Sequence, residues 1–293
     1  MVTPPKKILL ATDLSSRSDR AQDRAVLLMK QFDAELLVLH VLEPTEKNRT
    51  AHCGRFWAFN PDQRARDEAR FKVKQYLGDI GNKVIVRVEK GAPHRIILSV
   101  AVRENCDLII TGIARSEALG RIVLGKSVKY LLRKSDIPIL IVTDRVLNPY
   151  RNIIVLSDFS SASRKSLEVA ATYFPDQKLK ILHASTMMGI WAADDIENHK
   201  KLMQQMAYEE YIKFLDMVHL PSKMRGGADL LIEWGSPPHI LEKKAQCQSI
   251  DLVVVGSRVG GFFKEAFKSS MSNRIVSALL SDVLVVRETS YRD

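Results

Sequence analysis

The chain has 293 residues, of which 46% are hydrophobic and 27% charged, and its formal net charge is +10 at pH 7. This balance is typical of a soluble globular protein and excludes a largely disordered chain. No stretch approaches the ~18 uncharged apolar residues of a transmembrane helix, and the N-terminal segment lacks the apolar region of a signal peptide. Cys53, Cys106 and Cys247 are scattered, without a disulfide or zinc spacing, so we expect a reducing cytoplasm.

Short apolar runs alternate with longer amphipathic stretches in the first half of the chain. The runs are rich in Val, Ile and Leu and predict buried strands at 7–12, 35–42, 83–89, 107–112 and 138–142. The stretches between them predict helices at about 18–31, 61–80, 93–104 and 125–135. This alternation predicts a doubly wound, parallel α/β sheet with helices on both faces.

The whole pattern then repeats in the second half at an offset of 143–145 residues. KKILLATDLSSRS at 6–18 returns as RNIIVLSDFSSAS at 151–163, and CDLIITG at 106–112 returns as IDLVVVG at 250–256. Such a long period indicates tandem duplication of an entire domain. We therefore expect domains at 1–146 and 147–293, joined by a short linker near Asn148-Pro149.

The basic excess lies almost wholly in the first half. Residues 1–145 hold 26 Lys and Arg against 17 Asp and Glu, a net of +9, whereas residues 146–293 hold 18 against 17, a net of +1. A basic field favours anionic ligands such as phosphates, although an ordinary solvated surface would carry the same charge. The basic residues are dispersed and no motif that reads DNA or RNA is found, so a nucleic-acid partner is not expected.

A ligand site is expected where the strand order reverses, beyond the carboxyl ends of the first and fourth strands. Asp13 and Gly112 end those strands, and Asp13 is suited to accept hydrogen bonds from a ribose. Gly125, Lys126 and Ser127 open the next helix, whose N-terminus favours a phosphate. The alternative for these residues is local: Asp13 as a cap or turn acid, and Gly125 as ordinary turn chemistry.

Residues 120–127 also match the P-loop string Gly-x4-Gly-Lys-Ser. A P-loop needs a strand running directly into the loop, but here the candidate strand ends at Gly112 and residues 113–119 intervene. No catalytic triad or His-Glu-x-x-His pattern is found, and a nucleotide-processing enzyme is kept only as an alternative. The adjacent His52 and Cys53 lack distant partner ligands, so no metal site is expected.

Motifs that occur once in each half resemble the universal stress protein family in its tandem two-domain form. They are Asp-x-Ser-x-x-Ser after the first strand (Asp13, Ser15, Ser18; Asp158, Ser160, Ser163), Leu-His at the end of the second (His40; His183), Gly-x-Pro before the third helix (Gly91, Pro93; Gly235, Pro237) and Asp-Leu before the fourth strand (Asp107; Asp251). We interpret His40 and His183 as structural residues that form hydrogen bonds at the strand ends.

ATP-binding members of this family are similar in using Gly-x2-Gly-x9-Gly-Ser/Thr. The first half keeps that spacing as Gly112-x2-Arg115-x9-Gly125-Lys126, with a positive residue at two of the family's positions. The second half has Gly256-x2-Val259-x9-Ser269-Ser270 and loses two glycines. The resemblance therefore implies a nucleotide site in the first half and a weaker or empty site in the second.

The resemblance implies a stress-response protein that binds an adenine nucleotide, and ATP in particular, as a regulatory ligand, with Mg²⁺ as a candidate accompanying ion. No enzymatic activity is expected, although slow hydrolysis of the nucleotide is kept open. In the first half the nucleotide would contact Ala11, Thr12, Asp13, Val41, Thr111, Gly112, Arg115, Gly125, Lys126 and Ser127. The weaker site would use Asp158, Gly256, Ser269, Ser270 and Ser272.

The resemblance implies two sheets of strand order 3-2-1-4-5 that pack as a pseudo-dimer, like the homodimer of single-domain relatives, through 138–142 and 282–287. The chain would then act as a monomer with pseudo-two-fold symmetry or as a homodimer.

The lost glycines leave a second interpretation open. The chain would then be a scaffold that binds a protein or an apolar small molecule instead of a nucleotide, through its aromatic loops and the groove between the halves. The residues that would carry this function are Trp57, Phe59, Met187, Met188 and Trp191.

Overall fold

The computed structural model describes residues 2–15, 18–43, 61–77, 83–116, 121–143, 148–185, 196–221, 224, 228–247, 250–257 and 281–288. The chain divides into two compact units. The first comprises Pro5–Ala114 and Leu124–Val146, and the second contains the repeat that follows residue 147. No helix in the described ranges has both the length and the hydropathy needed to cross a membrane.

The first repeat follows the predicted alternation of strands and helices. Its elements are β1 (Lys7–Thr12), α1 (Asp19–Phe32), β2 (Glu35–Leu42), α2 (Pro61–Leu77), β3 (Val84–Lys90), α3 (Pro93–Arg103), β4 (Leu108–Gly112), β5 (Ala114–Ser116), β6 (Arg121–Val123), α4 (Lys126–Lys134) and β7 (Ile139–Val142). The short strands β5 and β6 pair with each other as a separate two-stranded sheet.

The second repeat has the same order of major elements. They are β8 (Ile153–Ser157), α5 (Ser161–Tyr173), β9 (Leu179–Ser185), α6 (Ile196–Met217), β10 (Asp229–Trp234), α7 (Pro237–Cys247), β11 (Leu252–Ser257) and β12 (Asp282–Arg287). Its strands are arranged β10-β9-β8-β11-β12, and those of the first repeat β3-β2-β1-β4-β7. All neighbours within each set are parallel. The predicted α/β fold and the strand order 3-2-1-4-5 in each half are therefore confirmed, while the predicted pseudo-dimer packing stays a prediction.

Burial of the central strands explains their continuous apolar sequences. In β1, Ile8, Leu9 and Leu10 are fully buried, as expected of a strand that is covered on both faces. Helix α1 covers one face with an apolar stripe that includes Ala25 and Leu28. Burying one leucine side chain contributes about 2 kcal/mol, so this stripe fixes the helix against the sheet.

The Gly-x-Pro motifs form the turns into α3 and α7. Gly91 and Gly235 have φ values of 149° and 125°, a region that L side chains rarely adopt. The Gly91 amide donates to the carbonyl of Leu42 at 3.0 Å, and the Gly235 amide donates to Ser185 at the same distance. Each turn therefore ties the start of a helix to the end of a neighbouring strand. In the first repeat this brings Pro93 and α3 next to the carboxyl end of β2.

Candidate functional site

A cleft of about 260 Å³ lies beyond the carboxyl ends of β1 and β4 in the first unit. Its lining comes from five elements of the chain: the ends of β1, β2 and β4, and the starts of α3 and α4. The lining residues are Ala11, Thr12, Asp13, Ser18, Leu39, Val41, Glu43, Pro93, Ile97, Thr111, Gly112, Ile113, Gly125, Lys126, Ser127 and Val128. Every residue predicted for the first site except Arg115 is among them, and the Arg115 side chain lies outside the described part of the structure.

Asp13 is held by a local hydrogen-bond network. Its Oδ1 accepts from the Ser15 amide at 3.0 Å, from the Ser15 hydroxyl at 2.6 Å and from the Ser18 hydroxyl at 2.9 Å. The Thr12 hydroxyl donates to Ser18 at 2.9 Å and accepts from the Leu14 amide at 3.0 Å. All of these donors to Asp13 reach Oδ1.

This network also fixes the charge of Asp13. Partial burial by itself raises the pKa of the carboxyl, but the hydrogen bonds from Ser15 and Ser18 together outweigh burial. The net pKa lies below its ordinary value, because those donors stabilise the carboxylate form. Asp13 is therefore an ionised hydrogen-bond acceptor at neutral pH and a weak base.

Gly125 is the N-cap residue of α4 and faces open space. Its φ of −62° is accessible to any residue, and a Cβ placed there would meet nothing within 4 Å. The fold itself therefore does not require a glycine at this position. The first backbone N–H groups of α4 have no acceptor within the helix itself, and together with the exposed Lys126 they present positive charge to the same space.

Several lining residues were not predicted as site residues. Leu39 comes from β2, Pro93 and Ile97 come from α3, and all three give the cleft an apolar wall. The exposed Glu43 adds a second carboxylate. The repeated Gly-x-Pro motif was the signal for Pro93, because it sets α3 against the end of β2.

The second half preserves the aspartate network. Asp158 Oδ1 accepts from the Ser160 amide at 3.1 Å and from the Ser163 hydroxyl at 2.6 Å. Burial by itself raises the pKa of Asp158, and hydrogen bonds from Ser160 and Ser163 lower it to a net value below the ordinary one. Both aspartates therefore stabilise the turn that follows the first strand of their half, whether or not a ligand binds.

Gly256, predicted for the weaker site, is packed against the backbone. A Cβ on Gly256 would lie 2.3 Å from the Ala162 carbonyl oxygen and 2.9 Å from the Ser163 amide nitrogen. This contact between the end of β11 and the start of α5 accounts for the glycine without a phosphate. Ser269, Ser270 and Ser272 lie outside the described residues, as do His52 and Cys53.

The repeated histidines have a structural contact in each half. His40 Nδ1 lies 3.0 Å from the Thr12 carbonyl oxygen, and His183 Nδ1 lies 3.1 Å from that of Ser157. Each ring thus joins the end of the second strand of its half to the end of the first. This geometry agrees with the structural interpretation of both residues.

Comparison with known proteins gives one consistent result. The model of the universal stress protein family matches residues 4–143 and again 149–287. A universal stress protein of Mycolicibacterium smegmatis is 26% identical over 312 residues and covers 96% of both chains. Universal stress protein MJ0531 of Methanocaldococcus jannaschii is 29% identical over 139 residues, which cover 47% of this chain and 81% of that protein. A universal stress protein of Archaeoglobus fulgidus has a solved structure that matches with a TM-score of 0.70 at 22% identity, over 97% of this chain and 99% of its own.

Proposed function

Because the chain belongs to the universal stress protein family, we propose that its first half binds an adenine nucleotide, and ATP in particular. The nucleotide acts as a regulatory ligand in a cytoplasmic stress response. The observation that carries the proposal is the convergence of separate segments on one cleft. Asp13, Gly112 and Gly125 are distant in sequence, and all line it. The cleft lies at the strand-order reversal, where open α/β sheets bind ligands.

The chemistry of the cleft supports a nucleotide. The apolar wall of Leu39, Pro93 and Ile97 suits a flat base, and Asp13 suits the hydroxyl groups of a ribose. Gly125 leaves space for close approach to the backbone, and Lys126 adds a positive charge for phosphates. The described residues thus fit the three parts of a nucleotide, while Mg²⁺ stays a prediction.

A regulatory role is supported by the state of Asp13. A general base works best when its pKa lies near the working pH, but the Ser15 and Ser18 hydrogen bonds hold the pKa of this carboxyl below its ordinary value. A carboxylate in this state orients a ligand better than it abstracts a proton. We therefore propose binding without turnover, with nucleotide occupancy biasing the conformation that a partner recognises.

The test is calorimetry of ATP with Mg²⁺ on the full chain after bound nucleotide has been removed. We expect binding, and we expect Gly125→Leu to abolish it because the new side chain fills the open space above the start of α4. An unchanged circular dichroism spectrum and unfolding midpoint would show that Gly125→Leu is folded. Full binding by this folded variant would contradict the site.

Absence of binding at millimolar ATP would contradict the function itself. The alternative, a scaffold that binds a protein or an apolar small molecule, would then be favoured. Its residues, Trp57, Phe59, Met187, Met188 and Trp191, lie outside the described part of the chain, so that interpretation stays a hypothesis.

A further inference from the structure

Helix α3 forms one wall of the proposed nucleotide cleft and is fixed at both ends. At its start, the Gly91 amide donates to the Leu42 carbonyl at the end of β2. Just beyond its end, Glu104 Oε1 lies 3.0 Å from Arg87 Nη2 of β3, and Glu104 Oε2 lies 3.4 Å from Lys7 Nζ of β1. One carboxylate therefore ties the end of the helix to two strands of the sheet.

Helix α4, whose start carries the phosphate side of the cleft, packs chiefly against α3. Its buried side chains are Val128 and Leu131, which lie three residues apart on one face of a nine-residue helix. So short an apolar stripe fixes the depth of α4 more firmly than its position along the sheet. Because α3 is fixed, its lateral contacts with α4 determine where the N-terminus of α4 lies.

His94 of α3 and Tyr130 of α4 form such a lateral contact. Their ring centroids lie 4.8 Å apart with the planes inclined at 63°, which is the edge-to-face geometry that aromatic pairs prefer. Both side chains are half-buried. His94 directly follows Pro93, and Tyr130 comes two residues after Val128, and both of these neighbours line the cleft. The contact thus joins the two walls just outside the cleft.

The second half forms the same turn and helix without this ring. The offset of 144 residues that relates Pro93 to Pro237 places Pro238 at the position of His94. Helix α7 begins at Pro237, as α3 begins at Pro93, and Pro238 is buried. The Gly-x-Pro turn and its helix therefore do not require an imidazole. The ring occurs in the half for which we propose a nucleotide.

We propose that His94 and Tyr130 are positioning residues that set the spacing between the base wall on α3 and the phosphate end of the cleft on α4. This inference rests on the proposed nucleotide function. The two rings do not line the cleft, and they act by holding Gly125 and Lys126 at the distance that one nucleotide spans. A preset spacing raises the affinity, because less ordering of the protein is then required on binding.

The experiment is a double-mutant cycle on ATP binding, measured by calorimetry on the full chain with Mg²⁺. The variants are His94→Ala, Tyr130→Leu and the two combined. We expect each single variant to weaken ATP binding by about threefold to tenfold, the usual effect of one aromatic pair. The double variant should be no weaker than the single variants, because either substitution already removes the contact.

Conservative and distant substitutions serve as controls. His94→Phe and Tyr130→Phe keep an aromatic ring on each helix, so both should bind ATP as the wild type does. Val102→Ala is the matched control for His94→Ala, since Val102 is 61% exposed on α3 and does not line the cleft. Urea unfolding confirms that every variant is folded under the conditions of the titration.

Wild-type ATP affinity in His94→Ala or Tyr130→Leu would overturn the inference and leave the two rings with a packing role. Losses that multiply in the double variant would overturn it as well, because the residues would then act separately. Phenylalanine variants as weak as the truncated ones would also contradict a ring contact. All three results would leave the proposed function intact, whereas failure of the wild-type chain to bind ATP would overturn both.

Discussion

At the scale of single residues, Asp13 and Asp158 do the same structural work at the ends of β1 and β8. Each uses Oδ1 to accept hydrogen bonds from the two serines that follow in its motif. Asp13 also lines the cleft, whereas Asp158 belongs to the half in which we expect a weaker or empty site. A comparison of variants at Asp13 and Asp158 can therefore distinguish the contribution of this aspartate to turn stability from its contribution to ligand binding.

We predict that Asp13→Asn and Asp158→Asn each lower the free energy of unfolding at neutral pH by about 1 kcal/mol, since an amide oxygen is a weaker acceptor than a carboxylate. The folded-state pKa of each aspartate lies below the ordinary value of 3.8. The extra stability is therefore present above that value and is lost as the pH falls through the lower, folded-state pKa. Urea unfolding of both variants from neutral to strongly acidic pH measures this. A difference from wild type that does not shrink in acid would contradict the account.

ATP binding should distinguish the same two variants. Asp13→Asn should weaken it, and Asp158→Asn should leave it unchanged, although both lose a similar stability. Equal ATP affinity in both variants would remove Asp13 from the ligand site and leave it with the role of a turn residue.

At the scale of elements, two glycines of the predicted sites have opposite surroundings. Gly256 packs the end of β11 against the backbone at the start of α5, whereas Gly125 faces open space at the start of α4. We predict that Gly256→Ala costs about 2 kcal/mol or more, because backbone atoms cannot yield as a flexible side chain can. Gly125→Ala should cost less than about 1 kcal/mol, the difference between glycine and alanine at an N-cap.

Urea denaturation of both alanine variants checks this contrast, with the slope against urea concentration compared to confirm two-state unfolding. A stable Gly256→Ala would mean that the two segments separate easily. The second half would then have room for a ligand, contrary to our assignment.

Most of the secondary structure of the first half could be predicted from the sequence. Periodicity predicted the strands and helices of the first half to within three residues, because strands buried on both faces and amphipathic helices leave distinct patterns. The short strands β5 and β6 were missed, since three residues are too few to show a period. The burial of Gln22, which is only 3% exposed in α1, was also not predicted. Periodicity does not distinguish it from a surface glutamine, and only its alignment with the buried Leu167 of α5 marks the position as buried.

The site was predicted in part for the same physical reason. Asp13, Gly112 and Gly125 stand at element ends, where the topology of an open sheet brings them together. Pro93 and Ile97 were not predicted, because their place in the cleft depends on how α3 packs over β2. That packing is a tertiary property, and only the Gly-x-Pro turn pointed to it.

At the scale of the whole molecule, the two halves share a fold and differ in charge. The first half carries a net +9 and the second +1. A positive field attracts polyphosphates, and salt limits the range of this attraction to about 10 Å at 0.1 M ionic strength. The asymmetry agrees with a single nucleotide site in the first half.

We therefore predict one ATP per chain and an affinity that falls as salt rises. Lys126→Met should lower the affinity by about threefold to tenfold and flatten its dependence on salt, because Lys126 lines the cleft as a partly solvated charge. Lys129→Met is the matched control. Lys129 is exposed on α4 and does not line the cleft, and its substitution removes the same charge from the same half. Calorimetry at several NaCl concentrations gives stoichiometry, affinity and salt slope together. Two ATP per chain would place a working site in the second half, and equal effects of the two lysine variants would reduce the role of Lys126 to its share of the general field.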